Sequence, residues 1–171
     1  YMKLNITVPT SLSDITLRDY QKFIKIASDK DVNDLFIRQK MIQIFCDIPL
    51  LAVNNMARKD FVVISNALIE ILSSKPKLIP TTTINDVEFG FIPNLDNDLS
   101  VGEFADLDDY MTDWSKFHKA MSVLYRPIVS KKKTNYTIEE YEGNEKYADV
   151  MLDIKMDVVM GAVVFFWTLS R

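Results

Sequence analysis

Cysteine and histidine are almost absent from this sequence, which contains one of each, Cys46 and His118. A single cysteine excludes an intramolecular disulfide, and the two residues together are too few for the usual cysteine and histidine zinc sites. Glycine is also scarce, with four residues that are scattered along the chain. Phosphate-binding loops need clustered glycines, because backbone amides must approach the ligand closely. We therefore expect no catalytic metal, no nucleotide and no other cofactor.

Basic charge is not in excess, since 20 Lys and Arg residues stand against 24 Asp and Glu residues, a net charge of −4. This balance argues against nonspecific nucleic-acid binding, which a basic surface drives.

A long apolar run is missing as well. The nearest candidate, residues 158–169, has about 12 residues where a membrane span needs about 20. It predicts a buried core helix, and we expect neither a nucleic-acid nor a membrane partner.

The length and the apolar content predict one folded domain over residues 1–171. With 171 residues, 48% of them hydrophobic, the chain can bury a core. Thr16 with Asp19 three residues later is a helix-capping pattern, and apolar residues recur at helical spacing through much of the chain. Residues 78–92 are instead rich in Thr, Ile, Val and Phe, which favours a β-hairpin turning near Asn85. The predicted fold is mainly α with a small β-hairpin (α+β), in a single helical domain. Its helices are expected at about 16–28, 31–46, 60–74, 112–125, 144–152 and 156–170, and its hairpin at about 78–92.

The helix predicted at 112–125 has one apolar face, and that face is expected in the core. It contains Trp114, Phe117, Met121 and Leu124. Proline cannot continue an unstrained helix, so the run from Tyr125 to Pro127 is expected to close this helix. Arg126 would then supply a cation near the unpaired carbonyls of the last turn. A further short strand is expected at about 136–140.

An acidic segment runs from Asn85 to Asp113, with nine carboxylates and no Lys or Arg. Within it, Ser100 and Glu103 form a capping-box pattern that opens a short helix. A calcium-binding loop needs glycine at its sixth position and glutamate at its twelfth. Counted from Asp96, these positions are Val101 and Leu107, so the segment does not match such a loop. A solvated or partner-facing surface is the better interpretation.

Catalytic residues are not indicated by any pattern in the sequence. Paired carboxylates such as Asp106 with Asp109, or Glu139 with Glu140, are common on exposed helices. Acid–base chemistry would need one of them to be placed in a cleft with a raised pKa. No Ser or Cys lies in a nucleophile motif, and Cys46 is expected to be a small core residue. We expect that the protein is not an enzyme.

The apolar excess points to binding instead. The helix predicted at 156–170 is apolar on all its faces, so the rest of the domain or another chain must cover it. Methionine and aromatic side chains also form adaptable binding surfaces. Together with the acidic segment, this predicts a set of partner-binding residues, namely Asp96, Asp98, Glu103, Asp106, Asp108, Asp109, Phe165, Phe166 and Trp167.

Four segments carry a resemblance to a known group of proteins. They are IxVPxSLxDITLRDYQKF at 6–23, VEFGFIPNLD at 87–96, GEFADLDDY at 102–110 and KAMSVLYRPI at 119–128. The chain resembles small, mostly uncharacterised morphogenesis proteins of tailed bacteriophages that infect Bacteroidetes-like and marine hosts. Its first twenty-five residues also resemble the start of phage tail assembly chaperones. The resemblance includes no catalytic motif, so it implies a role in virion morphogenesis through binding.

Three functional hypotheses remain open at this point. The first is a tail assembly chaperone-like factor that binds another phage protein, a tail or virion component, in the host cytoplasm during assembly. The second is a minor structural protein of the phage neck or tail, which would be found in the virion and would form a homo-oligomer. The third is a carboxylate-dependent metal enzyme that uses Asp96–Asp113.

Overall fold

A computed structural model describes residues 5–169 of the chain. Those residues form eight α-helices and one four-stranded antiparallel sheet. The prediction of a mainly helical α+β fold is therefore confirmed. The residues group into two compact units, one made of residues 5–75 with 155–157, and the other of residues 76–154 with 158–169. The single domain remains a prediction.

The first unit is helical. Its helices are α1 (Leu17–Ala27), α2 (Asp34–Phe45), α3 (Leu50–Asn54) and α4 (Arg58–Leu72). The Thr16 side chain caps α1 by accepting a hydrogen bond from the backbone N–H of Asp19, and Asn33 caps α2 through Phe36. Helices α1, α2 and α4 lie where helices were expected at 16–28, 31–46 and 60–74. Helix α3 was not predicted, and it begins directly after its N-cap residue Pro49.

The second unit contains the sheet. Strands β1 (Thr81–Ile84), β2 (Val87–Phe91), β3 (Tyr125–Lys132) and β4 (Asn135–Ile138) are neighbours in that order. Helices α5 (Leu95–Asp98), α6 (Val101–Tyr110) and α7 (Phe117–Leu124) lie between β2 and β3 in the chain. Helix α8 (Met156–Leu169) follows β4, and its residues from Val158 onward belong to this unit.

The predicted hairpin is present as β1 and β2, which pair antiparallel from Thr81–Gly90 to Ile84–Val87. The two residues between the strands, Asn85 and Asp86, have φ values of 49° and 66°. Positive φ at both positions is the signature of a type I′ turn, whose twist matches the twist of the strands it joins. Strand β4 likewise lies near the strand expected at 136–140.

Two helix predictions need correction. The helix expected at 112–125 is a 3₁₀ turn at Trp114–Lys116 followed by α7, and Tyr125 already belongs to β3. Tyr125 pairs with Phe91 of β2, so pairing with a distant strand takes the chain out of the helix. The helix expected at 144–152 is a series of turns that leads into a 3₁₀ helix at Val150–Asp153.

The predicted core face of α7 is mostly confirmed. Phe117, Met121 and Leu124 are buried, whereas Trp114 is only half-buried and stacks on Phe117 with ring centroids 4.4 Å apart. Helix α8 is buried from Val158 to Val163, apart from Met160. Its last turns become exposed. No helix within residues 5–169 is long and apolar enough to cross a membrane.

Candidate functional site

Helix α6 begins with the capping box that the sequence predicts. The Ser100 hydroxyl accepts a hydrogen bond from the Glu103 backbone N–H at 3.1 Å, and Glu103 Oε2 accepts one from the Ser100 backbone N–H at 3.2 Å. Two donors that a helix start leaves unpaired are satisfied in this way. The helix start is therefore fixed by residues three positions apart.

The second oxygen of Glu103 forms a buried ion pair. Arg126 Nη1 of β3 donates to Glu103 Oε1 at 2.9 Å, and each side chain is 7% exposed. The predicted end of the helix is confirmed, because Tyr125 is the C-cap of α7. The predicted role of Arg126 as a cation near the last carbonyls is wrong, because its side chain pairs with Glu103. Glu103 has to be removed from the predicted partner-binding set, because its carboxylate is buried and paired with Arg126 within the unit.

Two hydrogen bonds connect α6 to the segment after β4. The Tyr141 hydroxyl donates to Asp106 Oδ2, and Asn144 Nδ2 donates to the Tyr110 hydroxyl. Burial, together with the hydrogen bond to Asp106, raises the pKa of Tyr141 well above its ordinary value. The guanidinium of Arg126 lies 5.7 Å from the Tyr141 ring centroid. Asp106 is half-buried, and its carboxylate already accepts a hydrogen bond within the unit.

The side of α6 that faces away from Glu103 is exposed and carries both apolar and acidic side chains. Val101 is 87% exposed and Phe104 is 61% exposed. Residues three and seven positions apart share a helix face, so Val101, Phe104 and Asp108 lie along one stripe. Asp109 is exposed beside it. We call Val101, Phe104, Asp108 and Asp109 the α6 face.

The acidic segment has counter-charges that its own sequence lacks. Besides the Arg126 pair, Lys131 Nζ lies 3.0 Å from Glu88 Oε1 on the sheet, with both side chains exposed. Glu88 and Glu103 are therefore paired with cations from outside the segment. Four carboxylates of the predicted set are exposed and make no ion pair within the described part of the chain, namely Asp96, Asp98, Asp108 and Asp109.

The aromatic residues of the predicted set divide into two kinds. Phe165 and Phe166 are half-buried and contact Phe91 of β2, with ring centroids 5.6 and 6.4 Å apart. Trp167 is 58% exposed, and Leu169 beyond it is 52% exposed. The last turn of α8 therefore presents its apolar side chains to solvent most fully.

The remaining candidate reactive side chains are Cys46, Glu139 and Glu140. Burial raises the pKa of the Cys46 thiol to about 11, which keeps it protonated. Glu139 accepts a hydrogen bond from the Tyr147 hydroxyl, while Glu140 is exposed. Within residues 5–169, no three His, Cys, Asp or Glu side chains are grouped so that they could hold a metal ion.

His118 provides a test of pH dependence. Burial, and then the charge of Lys119, lower the pKa of His118 in the folded protein, while Asp149 opposes them. A histidine whose pKa is lowered by folding contributes stability above its unfolded pKa, and this stability is lost as the pH falls below that value. We expect the thermal unfolding midpoint to fall between about pH 7 and about pH 5, and to fall less for His118→Gln. An equal fall in both proteins would show that His118 is not the cause.

Sequence reasoning missed Tyr141 and Asn144 in this region, and it gave Arg126 a different role. Arg126 is separated from Glu103 by 23 positions in the chain, and nothing in the intervening sequence indicates the pairing. The capping box was the one usable signal, because it correctly placed Glu103 at the start of a helix.

A comparison with models of known protein families finds no match to this chain. No curated protein and no solved structure matches it either.

Proposed function

We propose that this protein acts by protein–protein binding during phage virion morphogenesis, as a tail assembly chaperone-like factor. Its partner would be another phage protein, a tail or virion component, bound in the host cytoplasm during assembly. The four segments that resemble phage morphogenesis proteins support the phage context. Binding rather than catalysis is the activity that we propose.

The observation that carries this proposal is the composition of the α6 face. Phe104 and Val101 expose large apolar surfaces, and Asp108 and Asp109 are exposed beside them. Large exposed aromatic side chains serve as interface anchors, while charged neighbours steer the encounter and select the partner. A partner segment with apolar side chains flanked by Lys or Arg would fit this surface.

The buried side of α6 supports the same interpretation. Leu107 and Glu103 are buried, and Arg126 and Tyr141 hold the helix from the sheet and from the segment after β4. A surface held by such contacts loses little conformational freedom on binding, so more of the contact energy remains as affinity.

A pull-down from phage-infected lysate tests the proposal. We expect Phe104→Ser to reduce partner recovery at all salt concentrations, because it removes the apolar anchor. We expect the double variant Asp108→Lys with Asp109→Lys to reduce recovery most at about 50 mM salt, where charge is least screened. Asp106 is left unchanged because Tyr141 donates a hydrogen bond to it.

The matched control is Asp31→Lys with Glu70→Lys, which changes the net charge equally at two exposed positions of the first unit. It should leave recovery unchanged. Normal recovery with all three variants folded, as judged by far-UV circular dichroism, would contradict a binding role for the α6 face.

A minor structural protein of the neck or tail is the second candidate, and the exposed Trp167 and Leu169 favour it. Apolar side chains at a helix end can form the contact between copies in a ring. Detection of the protein in purified particles, together with an oligomer that Trp167→Ser dissociates, would favour this candidate over a chaperone. A thermal shift that depends on a divalent cation would instead favour the carboxylate-dependent metal enzyme.

A further inference from the structure

A cleft of about 820 Å³ lies in the first unit at the C-terminal end of α2. Its volume falls within the range of small-molecule sites. Part of its lining is apolar and comes from Ile26 of α1 and from Ile44 and Phe45 of α2. The cleft shares no residue with the α6 face, and the function proposed above does not use the cleft.

Gln43 gives the cleft an unsatisfied hydrogen-bond acceptor. Gln43 lines the cleft, and its Oε1 atom is buried without a hydrogen-bond partner among the described residues. A buried polar atom without a partner is destabilising. Rotation of the Gln43 side chain towards a ligand that brings an N–H donor would give Oε1 a partner.

Two carboxylates lie on the same cleft and would also accept N–H donors. Asp19 and Asp47 both line it. Burial raises the pKa of Asp19, the charge of Lys22 lowers it, and the charge of Asp47 raises it. The last turn of α2 contains no basic residue, and the C-terminal end of a helix dipole favours a cation. An ammonium group would satisfy all of these features.

Two lysines complete the polar lining. Lys22 and Lys40 line the cleft and make no ion pair within the described part of the chain. Their charges balance those of the two aspartates, so a simple cation would gain little from net attraction. A carboxylate on the same ligand would pair with them.

We propose that this cleft binds a zwitterionic amino acid with an apolar side chain. The ammonium is directed to Gln43 Oε1 and the aspartates, the carboxylate to the lysines, and the side chain to Ile26, Ile44 and Phe45. Each class of group on the ligand then meets the matching class of lining residue.

The test compares three probes by NMR titration of the full chain. L-Phenylalanine carries both charges, phenethylamine lacks the carboxylate, and 3-phenylpropionate lacks the amine. We expect phenylalanine to saturate the shifts of cleft residues and to bind about tenfold more tightly than either analogue, the effect of one charge-assisted hydrogen bond. Absence of saturation by phenylalanine, or equal affinity for all three probes, would overturn the proposal.

Gln43→Met separates the roles of the groups. It should weaken phenylalanine and phenethylamine by about three- to tenfold, and leave 3-phenylpropionate unchanged. The control is Gln39→Met on the same helix, since Gln39 bonds to Asn54 and does not line the cleft. Should Gln43→Met fail to fold, Asp47→Asn at an exposed position is expected to weaken the same two probes. Unchanged affinity in the folded variant would overturn the proposal.

Discussion

Replacing Arg126 with Met is expected to lower the free energy of unfolding by about 3–5 kcal/mol, because it leaves the buried Glu103 carboxylate without its cation. Both side chains of the pair are 7% exposed, so water cannot replace the lost partner without opening the unit. Denaturant unfolding followed by far-UV circular dichroism measures the loss. The stability of this unit, rather than a surface property, is what the substitution changes.

The double variant Glu103→Gln with Arg126→Met provides the control. Glutamine can still act in the capping box that Ser100 begins, and no uncompensated buried charge remains. We expect the double variant to be more stable than Arg126→Met alone by more than about 1 kcal/mol. If the two variants are equally unstable, the loss comes from the packing of the Arg126 side chain rather than from its charge.

Replacing Gly161 with Ala is expected to destabilise the protein by about 1–3 kcal/mol, although alanine is the better helix former by about 1 kcal/mol. A Cβ atom at Gly161 would lie 2.5 Å from the backbone oxygen of Lys77 and 3.3 Å from Leu78 Cα. Backbone atoms cannot move aside as a flexible side chain can. Helix α8 and the segment before β1 would have to separate.

The matched control is Gly102→Ala in α6. There the nearest atom to an added Cβ is the Ser100 hydroxyl oxygen, at 3.9 Å. We expect this variant to be as stable as the parent or more stable by up to about 1 kcal/mol. Comparison of the two unfolding midpoints checks the argument, and a stabilised Gly161→Ala variant would show that the close approach at Lys77 is relaxed in solution.

The features that could be predicted from the sequence are those whose partners are near each other in the chain. Thr16 and Ser100 cap α1 and α6 through residues three positions later, so both members of each pair are visible in one short stretch. The turn at Asn85 and Asp86 is equally local. The acidic character of the α6 face could also be predicted, because the sequence shows directly which residues carry charge.

Which of those charges face solvent and which are enclosed depends on contacts between distant parts of the chain. Glu103 and Asp108 look alike in the sequence, yet one pairs with Arg126 and the other is exposed. The helix ends at Tyr125 as predicted, but pairing with Phe91 and Gly90, which the local sequence does not indicate, places Tyr125 and Arg126 in a strand. A short stretch of the sequence contains only one of the two residues that form such a long-range contact. The free energy gained by burying and pairing both partners exceeds the small difference between local conformations.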